Sequence, residues 1–223
     1  MKKSLLLLIG LCTYLGVVES YAQSSGEFEI GRVKYRGGGD WYNDPSALTN
    51  LIGYAKDRLP IPIANKYKDV ALGSTDLHSY PFLFLTGHGN IAVNASEVEN
   101  LRSYLENGGF LYIDDDYGID PYVRSMMREV FPNEEFIEIP FSHPIYNKVY
   151  DFNNGLPKIH EHDNKAPKGY GIFHKGKLVV FYSVESNLAD GWADAEIHNN
   201  PPALRQKALQ MGTNILVYAL TSL

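Results

Sequence analysis

The chain has 223 residues, with 26 acidic against 20 basic side chains and a formal charge of −6. An acidic chain without a basic run argues against a nucleic-acid surface. A single cysteine, Cys12, excludes an internal disulfide framework.

Lys2 and Lys3 precede a mostly apolar run from Ser4 to Val18, the pattern of a signal peptide and too short for a membrane span. Ser20-Tyr21-Ala22 places small residues at the −3 and −1 positions of a cleavage site. Residues 1–22 therefore read as a leader, and residues 23–223 as one exported domain, periplasmic or secreted, with no membrane span after cleavage. Cleavage removes two lysines and one glutamate, taking the formal charge from −6 to −7. It also removes Cys12, so the mature chain has no thiol nucleophile or thiolate metal ligand.

Phe28 to Tyr35 alternates apolar and charged positions and reads as a strand ended by Gly37-Gly38-Gly39. Asp44-Pro45 reads as the N-cap and first position of a helix with Leu48, Leu51, Ile52 and Ala55 on its buried face. Asp69 to Leu72 is a short strand and Phe82 to Leu85 the next. Ser96 and Glu99 form an expected capping box. The helix it opens runs through Val98, Leu101 and Leu105 and closes at Asn107-Gly108-Gly109. Phe110 to Ile113 is a strand. Asp120-Pro121 repeats the cap device ahead of Val123, Met126, Met127 and Val130. Phe136 to Ile139 is a further strand, and Ser142 to Pro167 is irregular. Tyr170 to Phe173 and Leu178 to Val184 make a hairpin around Lys175-Gly176. Pro201-Pro202 opens the last helix. This order predicts an α/β three-layer sandwich of flavodoxin-like type. Its sheet is mainly parallel, with helices on both faces and the antiparallel hairpin at one edge.

The strands Phe82–Leu85 and Phe110–Ile113 end in Thr86-Gly87-His88-Gly89 and Asp114-Asp115-Asp116. Ligands of open α/β sheets gather beyond the carboxyl ends of the strands, so these two segments should face one crevice. Gly37-Gly38-Gly39-Asp40-Trp41-Tyr42 follows the first strand to the same edge. Its aromatic rings and carboxylate suit a sugar-like ligand or, equally, a core lid. Asp190-Gly191-Trp192 repeats that chemistry. Expected ligand-binding residues are thus Asp40, Trp41, Tyr42, Gly87, His88, Gly89, Asp114, Asp115, Asp116 and Trp192.

The matching text Arg32–Tyr42, Tyr80–Gly89, Leu101–Leu111, Arg128–Pro132, His143-Pro144 and Met211–Leu220 resembles the bacterial domain-of-unknown-function 4159 family. The resemblance covers essentially all of the mature chain. It implies a fold similar to class I glutamine amidotransferases and carries no activity with it. In those enzymes a cysteine sits on a tight strand-to-helix elbow; here Asp114 follows the corresponding strand, so glutaminase chemistry is not expected.

Thr86 to Ala92 formally matches a dinucleotide fingerprint, but the next helix opens too far on to offer its N-terminus to a pyrophosphate. No cofactor is expected. His160 and His162 share one face of an extended segment, which suits Zn²⁺, yet spacing fixes no third ligand. The preferred reading is a surface loop, and no metal ligand is assigned. Two functions stay open. One is a non-catalytic module binding a small polar ligand or another envelope protein. The other is a hydrolase using Asp114, or another acid of the triplet, with His88 or His143 as its acid–base partner.

Overall fold

The computed structural model describes residues 26–222. The leader expectation, its cleavage site and Cys12 lie outside the described residues. β1 (Phe28–Lys34) leads through α1 (Ala47–Lys56) to β2 (Ile63–Ala71). β3 (Phe82–Leu85) leads through α2 (Ala95–Glu106) to β4 (Phe110–Asp114). After α3 (Asp120–Val130), the two-residue β5 (Ile137–Glu138) is followed by the hairpin β6 (Lys168–His174) and β7 (Lys177–Val184). Two short helices, α4 (Leu188–Trp192) and α5 (Ala195–His198), precede the long α6 (Pro202–Ser222).

The seven strands run in the order β2-β1-β3-β4-β7-β6-β5. β2, β1, β3, β4 and β7 are parallel, while β6 is antiparallel to β7 and β5 antiparallel to β6. This is the α/β, mainly parallel, flavodoxin-like sandwich that the strand–helix alternation predicts. Strand order reverses between β1 and β3, since β1 continues outward to β2 and the chain then returns to β3. A crevice at the carboxyl ends of β1 and β3 follows from that reversal.

Alternation along the central strands sorts side chains into two cores. Phe82, Phe84, Phe110, Tyr112 and Phe181 pack against α1, α4 and α6 on one face. Leu83, Leu85, Leu111, Ile113 and Tyr182 pack against α2 and α3 on the other. Because both faces are covered, the central strands are continuous apolar runs rather than half-polar ones. Among the described residues no helix is long and apolar enough to cross a membrane.

Three expected caps differ in detail. α1 begins at Ala47, and Asp44 is left-handed with φ 45°. That conformation is incompatible with the extended backbone of an N-cap. The capping box of α2 is Asn94 with Glu97, two residues before the expected pair. The Asn94 side chain accepts from Glu97 N at 2.9 Å, and Glu97 accepts from Asn94 N at 2.8 Å. At α3, Asp120 lies inside the first turn, where it accepts from Arg124 Nε at 2.8 Å and from the Tyr182 hydroxyl at 3.2 Å. β2 is also longer than expected, extending back to Ile63 beside β1.

Candidate functional site: an acid–imidazole cluster at the carboxyl edge

The loops after β1 and β3 are zipped together. Gly39 N donates to Asn90 O at 3.1 Å and Asp40 N to His88 O at 3.2 Å. A Cβ on Gly39 would sit 2.5 Å from the His88 carbonyl oxygen. The glycines therefore let one loop backbone approach the other, rather than a ligand. Gly87 (φ 130°) turns the chain so that His88 faces Asp40, which accepts from both the His88 backbone N–H and its Nδ1, the latter at 3.0 Å. Thr86 Oγ1 donates to Asp114 O at 3.1 Å, tying this turn to the end of β4.

The three consecutive acids go three ways. Asp114 is fully buried on the α4–α6 face. It accepts from Ser183, from the Tyr112 hydroxyl at 3.1 Å and from Ala189 N at 2.7 Å. Burial raises its pKa to about 6 against the opposing effect of the Ser183 and Ala189 donors. Asp115 points to the other face and accepts from Ile119 N at 3.3 Å; burial pushes its pKa up to about 7. Asp116 alone of the triplet turns into the crevice. It accepts from Asn43 and from Asn187, and its Oδ2 lies 3.4 Å from His88 Nε2.

Beyond Asp116 lies a group that spacing did not reveal. The end of the irregular segment is docked against the loop after β7: Ile159 N donates to Ser186 O at 2.9 Å and Lys158 Nζ to Glu185 at 2.7 Å. This docking delivers His160 and His162 to the sheet edge. His160 Nδ1 meets Asp190 Oδ2 at 2.5 Å, and His162 Nε2 meets Asn187 Nδ2 at 3.0 Å. His198, at the end of α5, places Nε2 2.7 Å from Asp44 Oδ1 and 3.7 Å from Asp190 Oδ1. Asp44, Asp116 and Asp190 each offer an oxygen within 4.8 Å of the others. Burial, then the charges of Asp116 and Asp44, raise the pKa of Asp190. Burial, then His198 and His162, lower that of His160.

Among the described residues, six buried side-chain polar atoms lack a hydrogen-bond partner. Four of them, Asn43 Oδ1, Asp44 Oδ2, Asn187 Oδ1 and Asp190 Oδ1, belong to this cluster. All four are acceptors, so the cluster is deficient in donors or positive charge. Asp44, Glu185, Asn187 and Asn199 also hold positive φ around it. Such conformations persist only where surrounding structure over-determines them. Beside the cluster, a depression of about 430 Å³ is lined by Asp115, Tyr117, Asp120, Asp163, Lys165 and Glu185, among others. Tyr117 connects the two, stacking on His162 with ring centroids 4.3 Å apart.

Asp40, His88 and Asp116 thus come together as expected, with Gly87 and Gly89 shaping the turn. Trp192 does not join them. It is fully buried between Phe84 and Tyr112, and its indole N–H donates to Ala208 O at 2.8 Å. The short helix α4, which no sequence pattern announced, turns Asp190 outward to the cluster and Trp192 inward to the core. Trp41 is half-buried, with Arg32 and Lys34 over its ring at 5.2 and 5.5 Å, while Tyr42 beside it is exposed. His143 is at the far end of the sheet. Its ring packs on Phe173 and Tyr218, and Tyr218 in turn packs on Phe110 at the start of β4. His143 is therefore removed from the triplet. His160 is half-buried and His162 exposed, and the segment that carries them borders the cluster.

A search of curated proteins finds no match. The family model described as domain of unknown function (DUF4159) matches residues 29–220, and the chain belongs to that family.

Proposed function

We propose that the carboxyl edge is a binding site for a small polar ligand rich in hydrogen-bond donors, presented by an exported domain. The observation that carries this reading is the set of four buried acceptor oxygens without partners, on Asn43, Asp44, Asn187 and Asp190. A buried acceptor left unsatisfied costs ~1–3 kcal/mol, and a ligand bearing hydroxyl or ammonium groups relieves that cost. The exposed rings of Tyr42 and Tyr117 and the neighbouring depression supply apolar area and room. The leader-like residues 1–22 support an envelope or secreted location, where such ligands would be met outside the cell. A panel of monosaccharides, amino sugars and polyamines, screened by ligand-observed NMR, tests the reading. Binding should appear for at least one class and be lost in Asp116→Asn and Asn187→Ala. A protein that binds no member of the panel, with or without added metal, refutes it.

A second reading is hydrolysis, and one observation favours it. His88 stands between two carboxylates, with Nδ1 3.0 Å from Asp40 and Nε2 3.4 Å from Asp116. A carboxylate that orients one ring nitrogen leaves the other free to move a proton. In this reading Asp40 orients the ring, His88 Nε2 takes a proton from the attacking water, and Asp116 stabilises the imidazolium that forms. Asp114 is not a participant, because its carboxylate is sealed in the core. Turnover of chromogenic ester or phosphoester substrates, abolished by His88→Gln, would support it.

A further inference from the structure

We infer that the deep end of this cluster is a transition-metal site of the zinc type, with His160, His198 and Asp190 as its ligands and Asp44, which meets His198, beside them. The inference rests on the reading of the carboxyl edge as a binding site and names its primary occupant.

The geometry argues for a cation rather than for a set of ordinary ion pairs. Two imidazoles and two carboxylates converge from three separate chain segments: the loop before α1, the docked end of the irregular segment, and α4–α5. His160 Nδ1 lies 2.5 Å from Asp190 Oδ2, and His198 Nε2 lies 2.7 Å from Asp44 Oδ1 and 3.7 Å from Asp190 Oδ1. Ligand atoms around a tetrahedral zinc are roughly 3.3 Å apart, given metal–ligand bonds of ~2.0–2.1 Å. The observed separations straddle that value, so small side-chain rotations open the group around an ion. His160, Asp190 and His198 already have their potential ligand atoms within 4.8 Å of one another.

Burial supplies an independent indication. The Asp190 and Asp44 side chains are only 3% and 7% exposed, and each has an oxygen with no partner, Oδ1 of Asp190 and Oδ2 of Asp44. Two such carboxylates, with Asp116 beside them, repel one another in a poorly solvated place. No lysine or arginine forms an ion pair with Asp44, Asp116 or Asp190 among the described residues. The repulsion is relieved by a proton on Asp190, whose pKa is raised, by protons on the imidazoles, or by a metal. Imidazole ligands select against Ca²⁺ and Mg²⁺, which take oxygen ligands, and favour zinc-type ions. Asp116 and Asn187 then form an outer ring, with Asn187 also holding His162.

The test is a calorimetric titration of the chelator-treated purified protein with ZnCl₂ and, separately, MgCl₂ and CaCl₂. The polar-ligand panel is repeated on the metal-free and zinc-treated protein. Zinc is expected to bind at one ion per chain and to raise the Tm, with Mg²⁺ and Ca²⁺ at least tenfold weaker. His160→Ala and His198→Ala should each weaken zinc at least tenfold while retaining the wild-type circular dichroism spectrum. His143→Asn, at the far end of the sheet, should leave zinc affinity within about twofold. Absence of zinc binding overturns the inference. So does a loss in His143→Asn as large as that in His198→Ala, or equal affinity for Mg²⁺. Panel binding without zinc binding removes the metal and keeps the polar-ligand reading. Zinc binding with the expected variant pattern and no panel binding keeps the metal and removes the polar ligand.

Discussion

The carboxylate of Asp114 accepts the backbone N–H of Ala189 at 2.7 Å, across 75 residues of chain. This bond joins the last residue of β4 to the first turn of α4 and fixes where α4 starts. The position of α4 decides that Asp190 faces the cluster and Trp192 the core. Asp114 therefore acts on the site by holding its scaffold.

Asp114→Ala should reduce stability by about 2–4 kcal/mol, because each buried donor deprived of its acceptor costs ~1–3 kcal/mol and several donors converge here. Asp114→Asn keeps the volume and one acceptor, so its loss should be smaller. Urea denaturation checks both. An unchanged midpoint in Asp114→Ala, with ligand or metal affinity lost, would instead put this carboxylate among the binding groups.

Trp192 gives a second separation of core from site. Its ring lies 5.5 Å from Phe84 and 5.8 Å from Tyr112, with no exposure. Removing a buried aromatic side chain of this kind costs ~3–5 kcal/mol, and Trp192→Ala should lose that much in chemical denaturation. Trp192→Phe should lose less and leave zinc affinity unchanged. A ligand platform would show the reverse, a binding loss at constant stability.

The capping box of α2 can be read by a pair of substitutions. Asn94→Ala should cost about 1 kcal/mol, in the usual range for loss of a helix N-cap. Ser96→Ala should change stability little, because the Ser96 hydroxyl only donates to Asn94 Oδ1 at 2.7 Å. Thermal unfolding of the two variants decides which residue is the cap. Equal losses, or a larger one at Ser96, would contradict the assignment.

The sheet and the general place of the site were legible in the sequence because they depend on local signals. The runs Phe82–Leu85 and Phe110–Ile113 are too short for helices and end in glycine or acidic turns, which marks them as doubly covered strands with their ends at the carboxyl edge. The deep end of the site was not legible, because it is built from side chains whose sequence roles look ordinary. Asp44 before Pro45 reads as a helix cap, yet His198, 154 residues on, engages its carboxylate. His198 lies at the end of a four-residue helix with no periodic pattern of its own. Asp190 stands out in the sequence only as the neighbour of Trp192. The pair His160 and His162 was the one signal present, and what it lacked was the fold that brings Asp190 and His198 to it. The Asp114–Asp116 triplet misled in a different way. Strand alternation separates Asp115 from its neighbours, but only the packing of α4 shows that Asp114 is sealed in the core while Asp116 faces the cluster.

His143, expected as an acid–base partner and found at the opposite end of the sheet, should govern a pH effect on stability instead. Its Nδ1 accepts from Ile145 N at 3.3 Å and caps the short turn Pro144–Tyr146, so the ring must be unprotonated at that nitrogen. Burial lowers its pKa below the ordinary value. A lowered folded-state pKa means that the unfolded chain takes up the proton first as pH falls. The stabilising contribution is therefore complete above about pH 6.5, the unfolded value. It declines below that, until pH has passed through the folded-state pKa. His143→Asn keeps a capping acceptor and does not titrate in this range. The Tm advantage of wild type over His143→Asn should be largest at pH 7.5 and shrink steadily toward pH 5. A constant or growing advantage over that interval would mean that His143 is not held neutral by its packing against Phe173 and Tyr218.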